Sequence, residues 1–208
     1  MAYLGTQPND VKKNTGLYTP SEILQLTKDG SWGGSLELIE EQTVSAVSTV
    51  DFTSIKENKF DVHYMQVSNL QISDSGSNQV KIRFYESGVL ETASVYQYAY
   101  QRGDSNAAFG EEKSTSAGNL LQFRNFGASD SNASASGYSY FYNLGNSAKY
   151  SFQTMHSSYL DNSSNAEFSF GGGLLPQTST VDGIQIISQA GTISANIKLY
   201  GVKQLWVL

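Results

Sequence analysis

Apolar and polar side chains alternate through the last part of the chain, and this alternation predicts β-strands. Between residues 192 and 203, every second position is apolar or glycine: Ile193, Ala195, Ile197, Leu199 and Gly201. A period of two is typical of a half-buried strand, because successive side chains point to opposite faces of a sheet. Residues 180–188 have the same character, and the short turn at 189–191 predicts that the two segments form a hairpin within the core.

Similar segments recur from Ser35 onward, separated by clusters of Gly, Asn, Asp and Ser. We predict strands near residues 35–50, 61–73, 78–86, 92–102, 118–126, 136–144, 147–157, 165–171, 180–188 and 192–203. So many short strands in one chain predict an all-β domain over 35–208, an antiparallel β-sandwich of jelly-roll type. A closed barrel is the alternative that the pattern leaves open.

Residues 1–34 have a different pattern and predict an extended N-terminal arm with one short helix near 20–28. Thr19 is a favoured N-cap, Pro20 takes the first helical position, and Glu22 is placed to complete a capping box. The Asp-Gly pair at 29–30 ends the predicted helix.

Two polar stretches, 103–118 and 127–137, read as long loops. Long loops in a compact domain tend to carry function. A simple exposed hairpin tip is the alternative for the Ser- and Ala-rich second stretch.

The charge balance excludes some classes of partner. The chain has 13 Lys and Arg against 19 Asp and Glu, a net charge of −6, and no basic cluster beyond the pair at 12–13. We therefore expect neither nucleic acid nor an anionic membrane surface as a partner. No apolar run is long enough to span a bilayer, and the N-terminus lacks the pattern of a secretion signal, so we expect synthesis in a cytoplasm.

The side chains that usually carry catalysis are scarce. There is no cysteine, and His63 and His156 are the chain's two histidines. The sequence contains no Gly-x-Ser-x-Gly nucleophile elbow, and neither histidine has the neighbours of a zinc site. Nothing marks two of Asp161, Glu167 and Asp182 as a facing pair of carboxylates. We expect a protein that is not an enzyme and that uses no cofactor or metal.

Tyrosines form two ladders with a spacing of two residues, which places each ladder on one face of a strand. The ladders are Tyr96, Tyr98 and Tyr100, and Tyr138, Tyr140 and Tyr142. Such rings can pack across strands or fill a subunit interface, and they can also stack against a ligand such as a sugar. The sequence leaves these alternatives open.

Three stretches near the start are MAYLGTQP (1–8), YTPSEIL (18–24) and WGGSLELI (32–39). Together they resemble small virion structural proteins of marine tailed phages such as cyanophages. Residues 50–55 and 64–70 are similar to the opening strands of phage fibre and appendage β-sandwiches. The segments at 181–186 and 197–203 resemble the last two strands of phage fibre and appendage β-sandwiches. The resemblance is weak over 90–165.

The resemblance implies a non-enzymatic, homotrimeric part of the virion: a tail fibre, a receptor-binding tip or a capsid-decorating fibre. Such proteins are made in the host bacterial cytoplasm, released by lysis, and contact other capsid or tail proteins through an N-terminal arm. In this chain the expected docking residues are Leu4, Leu17, Tyr18, Ile23, Leu24, Leu26 and Trp32. A tip that binds host-surface glycans is the alternative function, and a hydrolase of envelope polysaccharide is a third.

Overall fold

A computed structural model describes residues 19–28, 34–126 and 132–203. The chain divides into two compact units, Met1–Ser35 and Leu36–Leu208, and each is described by itself.

The described part of the first unit is one helix, α1 (Pro20–Lys28). Its N-terminus forms the predicted capping box: the Thr19 backbone N donates to Glu22 Oε2 at 2.7 Å, and the Glu22 backbone N donates to Thr19 Oγ1 at 3.3 Å. These bonds satisfy backbone donors that a helix N-terminus leaves open, a contribution of about 1 kcal/mol. The predicted helix is confirmed.

The second unit is built from antiparallel strands. They are β1 (Leu36–Val47), β2 (Thr49–Phe52), β3 (Val62–Ile72), β4 (Asn78–Glu86), β5 (Val89–Leu90), β6 (Tyr96–Asp104), β7 (Phe109–Ala117), β8 (Leu120–Phe126), β9 (Ala135–Tyr142), β10 (Ser151–Leu160), β11 (Ala166–Leu175), β12 (Val181–Ser188) and β13 (Ile193–Val202).

The strands form two sheets with the connectivity of a jelly roll. The large sheet has the order β1-β13-β3-β9-β10-β11-β6-β7, and the small sheet has the order β2-β12-β4-β5, with β8 also paired to β4. Within them, β1-β13-β3-β9 faces β2-β12-β4-β8, so each strand pairs with partners distant in the sequence, as two nested Greek keys require. The predicted all-β sandwich is confirmed, and two separate sheets replace the closed-barrel alternative.

Two insertions widen the large sheet beyond the jelly roll. The segment β5–β7 lies between β4 and β8 in the sequence, and β10–β11 lies between β9 and β12. From these insertions, β10, β11, β6 and β7 continue the large sheet past β9.

The core lies between the sheets, where inward-facing apolar side chains meet. Phe84 from the small sheet and Phe141 from the large sheet are fully buried, and their rings meet edge to face with centroids 5.8 Å apart. On β13 the inward positions are those that the alternation predicted, and Ile193, Ile197 and Leu199 are fully buried.

The predicted hairpin at 180–203 is wrong, although both strands exist. β12 lies between β2 and β4 in the small sheet, while β13 lies between β1 and β3 in the large sheet. The connection at 189–191 therefore crosses from one sheet to the other, and Gly191 turns the chain with a φ of +72°. It is fixed by bonds to the neighbouring β3–β4 crossing: the Thr192 backbone N donates to Ser73 Oγ at 2.9 Å.

The predicted loop at 103–118 is also wrong. Residues 109–117 form β7, which pairs with β6 at the edge of the large sheet. This strand carries Glu111, Glu112 and Lys113, and such charges are usual on an edge strand because they discourage pairing with other chains. Of the second predicted loop, residues 135–137 begin β9 and 127–131 lie outside the described residues.

Candidate functional site

The first tyrosine ladder points into the sandwich. Tyr96 and Tyr100 are 0% and 5% exposed, and Tyr98 is half-buried beside Tyr100. The Tyr96 hydroxyl accepts from the Phe84 backbone N at 2.9 Å, and the Tyr100 hydroxyl accepts from the Leu121 backbone N at 3.0 Å. Burial raises the pKa of both phenols.

Of the alternatives left open for the first ladder, burial favours packing within the chain for Tyr96 and Tyr100. A buried ring cannot reach a ligand or a second subunit, so Tyr96 and Tyr100 belong to the chain's own core.

The second ladder lies on the outer side of the large sheet. Tyr138, Tyr140 and Tyr142 project from β9, and Tyr64 of β3 lies among them. The Tyr64 ring centroid is 5.0 Å from that of Tyr140 and 5.9 Å from those of Tyr138 and Tyr200. Partial burial, and then the neighbouring phenols, raise the pKa of Tyr64.

Aromatic side chains continue from this cluster across β10 and β11. The ring of His156 is edge-on to Tyr138 at 5.8 Å and to Phe170 at 6.4 Å. Phe168 stacks on Phe170 with their rings 6° from parallel. We call the whole set the aromatic face: Tyr64, Tyr138, Tyr140, Tyr142, Phe152, His156, Phe168, Phe170 and Tyr200.

Strand register brings these rings together. His156 lies opposite Tyr138 on one side and Phe170 on the other, and Phe152 lies opposite Tyr142. Phe152 and Phe168 are each 40% exposed and Phe170 is 45% exposed, so the rings are open to solvent. Such a continuous apolar area on an outer sheet face indicates an interaction surface.

The inner side of β10 carries three polar side chains beside Met155 and Tyr159, whereas the inner side of a half-buried strand is usually apolar. Ser151, Gln153 and Ser157 are buried there, while Phe152 points outward. Gln153 Nε2 donates to Ser139 Oγ at 3.0 Å, and Ser157 Oγ donates to the Gln122 carbonyl at 2.8 Å. The network ties β8, β9 and β10 together beneath the aromatic face and supports it as a rigid platform.

Glu167 of β11 joins a second buried network. It is 1% exposed, accepts from the Tyr159 hydroxyl at 2.6 Å and pairs with Arg102 at 3.0 Å. These partners hold the carboxylate inside the sheet, away from the aromatic face.

A trough crosses the large sheet at right angles to the strands and shares Tyr142 and Phe152 with the aromatic face. Its floor is a row of small side chains in register on β10, β11 and β6, namely Thr154, Gly172 and Ala99. Tyr142, Phe152 and Leu174 line one wall, and the cavity has a volume of about 1020 Å³. A Cβ on Gly172 would lie 2.7 Å from the Gln153 carbonyl oxygen, so glycine is required at this point of the floor.

Sequence reasoning found only the Tyr138, Tyr140 and Tyr142 part of this surface. The available signal was the reversed alternation in SFQTMHS (151–157) and AEFSF (166–170), where aromatic side chains occupy one face and Ser, Gln or Glu much of the other. The alternation within one strand separates its two faces, but it does not show which face turns toward the core.

Most of the predicted docking residues lie outside the residues that the structure describes. On α1, Ile23 is half-buried and Leu24 is 54% exposed. The side chain of Leu26 lies outside the described residues, as do Leu4, Leu17, Tyr18 and Trp32.

Comparison with known proteins gives no relative: no family model, no curated protein and no solved structure matches the chain.

Within the described ranges, His, Asp and Glu side chains nowhere gather in a group of three that could hold a metal ion. The same ranges contain no helix with the length and apolarity needed to cross a membrane.

Proposed function

We propose that this protein is a non-enzymatic structural component of a phage virion, in which the N-terminal arm attaches to the particle. The jelly roll then forms a fibre or decoration appendage that assembles as a symmetric oligomer, with a trimer expected. The sequence stretches that resemble marine phage proteins support the virion assignment and the trimer. The aromatic face supports the assembly, and it is the observation that carries the proposal.

The composition of the aromatic face suits a contact between proteins. Tyrosine and phenylalanine are enriched in interface cores, where their rings bury large areas at a small cost in side-chain entropy. The five strands from β13 to β11 span roughly 20 Å at the usual strand spacing, enough for the centre of a subunit interface. No Lys, Arg, Asp or Glu side chain belongs to the aromatic face, so its burial requires little desolvation of ions.

Light scattering on the purified chain tests the assembly. We expect an oligomer for the wild-type chain and a monomer for Tyr140→Glu, because the introduced carboxylate would be buried without a partner. Val89→Glu is the matched control, since Val89 is an exposed apolar residue (70%) on β5 of the small sheet. A wild-type chain that stays monomeric at high concentration would contradict the proposal.

Incorporation into particles tests the arm. Deleting residues 1–34 should leave a folded jelly roll, shown by an unchanged β-type circular dichroism spectrum, that no longer copurifies with virions of the encoding phage. Immunogold labelling would show the full chain on the capsid or the tail. Normal incorporation of the truncated chain would remove the docking role from residues 1–34.

A further inference from the structure

We propose that the trough is a binding site for a neutral oligosaccharide, an extended chain of hexopyranose units lying across the strands. The inference goes beyond the structural role, because it gives the surface a ligand. Tyr142 and Phe152 belong to both the trough and the aromatic face, so the trough is complete in the free chain, and in the assembly only where a neighbouring subunit leaves these two rings uncovered.

The shape of the trough fits a linear chain of rings. The row Thr154, Gly172 and Ala99 runs across three neighbouring strands and leads to Lys113 on β7. Neighbouring strands are about 4.8 Å apart, which is close to the length of one pyranose unit in an extended oligosaccharide. Successive sugar rings would therefore lie over successive strands.

Large side chains stand on both sides of this row. Phe152 and Leu174 lie two residues from the floor along their strands on one side, and His156 and Phe170 lie two residues away on the other. Phe152 and His156 are four residues apart on β10, so the two rows of large side chains stand roughly 13 Å apart along the strands, which leaves room for a sugar ring between them. Of these side chains, Phe152 lines the cavity together with Tyr142, and their rings present aromatic surfaces against which the C–H faces of a sugar pack.

The polar groups of the trough are neutral and match sugar hydroxyls. Gln97, Thr154 and the hydroxyl run Ser114, Thr115 and Ser116 line it. Amides and hydroxyls both donate and accept, as a sugar hydroxyl does. The Tyr142 hydroxyl lies 3.4 Å from Thr154 Oγ1, so a phenol and an alcohol meet at one end of the floor.

Charge argues against an anionic ligand. Among the residues that line the trough, Lys113 alone is charged, and its Nζ lies 2.6 Å from Glu111 Oε1. A phosphate or sulfate would find no unneutralised cation there. A wholly apolar chain would leave the amide and hydroxyl groups of the lining without use, and a neutral sugar uses both kinds of surface.

Calorimetric titration of the full-length chain tests the site with defined probes. The neutral probes are cellohexaose, maltohexaose and β-1,4-galactohexaose. The comparison probes are hexagalacturonate, which is anionic, and dodecyl phosphocholine below its micelle concentration, which offers an apolar tail on a zwitterionic headgroup. We expect at least one neutral hexasaccharide to bind with a Kd of about 1 mM or tighter, and to bind at least tenfold more tightly than either comparison probe.

Two matched pairs of variants place the binding in the trough. Phe152→Ala should weaken binding at least tenfold, while Phe168→Ala, an equally exposed ring (40%) of the same face outside the trough lining, should change it less than twofold. Thr154→Lys should abolish binding by filling the floor, whereas Ser158→Lys, also exposed on β10, should leave it intact. Thermal melts of all four variants check that they are folded.

The proposal is overturned if none of the neutral hexasaccharides binds, if hexagalacturonate or the detergent binds more tightly, or if the trough variants bind as well as their controls. Light scattering on the same samples keeps this result separate from the assembly. A monomer that binds sugar would contradict only the proposed oligomer. An oligomer that binds no sugar would contradict only the proposed oligosaccharide site.

Discussion

The two tyrosine ladders have the same spacing in the sequence and opposite places in the molecule. Tyr96 and Tyr100 of β6 are buried in the sandwich, whereas Tyr138 of β9 is 38% exposed on the outer side of the same sheet. The residues between the tyrosines account for the difference. In β6 these are Gln97, Ala99 and Gln101, so the tyrosines are the most apolar face that the strand offers to the core.

In β9 the intervening positions include Phe141, which has no hydroxyl to satisfy. Its fully buried ring takes the core position, and the tyrosines are turned outward. Whether a ladder of tyrosines lies in the core or on the surface therefore depends on which side chains occupy the opposite face of the same strand.

The largest expected difference between the ladders comes from removing a ring. Tyr96→Ala should lower the free energy of unfolding by about 3–5 kcal/mol, because it leaves a cavity and removes the acceptor of the Phe84 N–H. Tyr138→Ala should cost less than about 1 kcal/mol in the monomer, since its ring is partly in water already. Urea unfolding of both variants measures this, and equal losses would break the comparison.

Removing only the hydroxyl should give a smaller difference. The Tyr100 hydroxyl accepts from the buried Leu121 N–H and donates to Gln153 Oε1 at 3.3 Å. Tyr100→Phe removes both bonds and should lower the free energy of unfolding by about 1–3 kcal/mol. Tyr140→Phe on the outer ladder should stay within about 0.5 kcal/mol of wild type. If Tyr100→Phe is as stable as wild type, the hydroxyl is not needed in the core.

The smallest effect extends the comparison to the histidines, of which His63 lies inside and His156 outside. His63 is fully buried and donates from Nε2 to the Ile55 carbonyl at 2.8 Å, and burial lowers its pKa below 6.5. The unfolded chain then binds a proton at a higher pH than the folded chain does. Stability from the neutral ring is complete above about pH 6.5 and is lost as the pH falls below it, by at most about 1.4 kcal/mol per pH unit.

Unfolding measured from pH 7.5 to 5.5 tests this. His63→Gln keeps an N–H donor but cannot titrate, so its stability should fall less steeply with pH than that of wild type. Equal slopes would show that His63 does not supply the pH dependence.

Much of the fold could be predicted because alternation reports which residues share a face. It located β12 and β13 within a residue or so, along with the helix α1. It could not show that β12 and β13 belong to different sheets, because a short turn joins a hairpin and a crossing equally well. It also missed β7, whose charged edge position gives it little apolar character.

The aromatic face was harder to predict, because it depends on which face of each strand turns inward. In β10 and β11 the core face carries Gln153 and Glu167, and these are stable there only through partners on other strands, Ser139 and Arg102. Partners so far apart in the sequence cannot be read from one strand. The sequence therefore shows that these strands carry aromatic residues, but it does not show that the aromatic rings lie together on the outer side of the sheet.

β12 and β13 are interior strands, each next to the edge strand of its own sheet, and this position has a consequence for synthesis. Leu36 of β1 pairs with Val202, and β2 and β4 are joined only through β12. As the ribosome makes the chain, neither half of the jelly roll can close until residues 181–202 have left the exit tunnel. Before then, β1 to β4 present open edges and unburied core side chains, so the nascent chain spends most of its synthesis in the form most prone to aggregate.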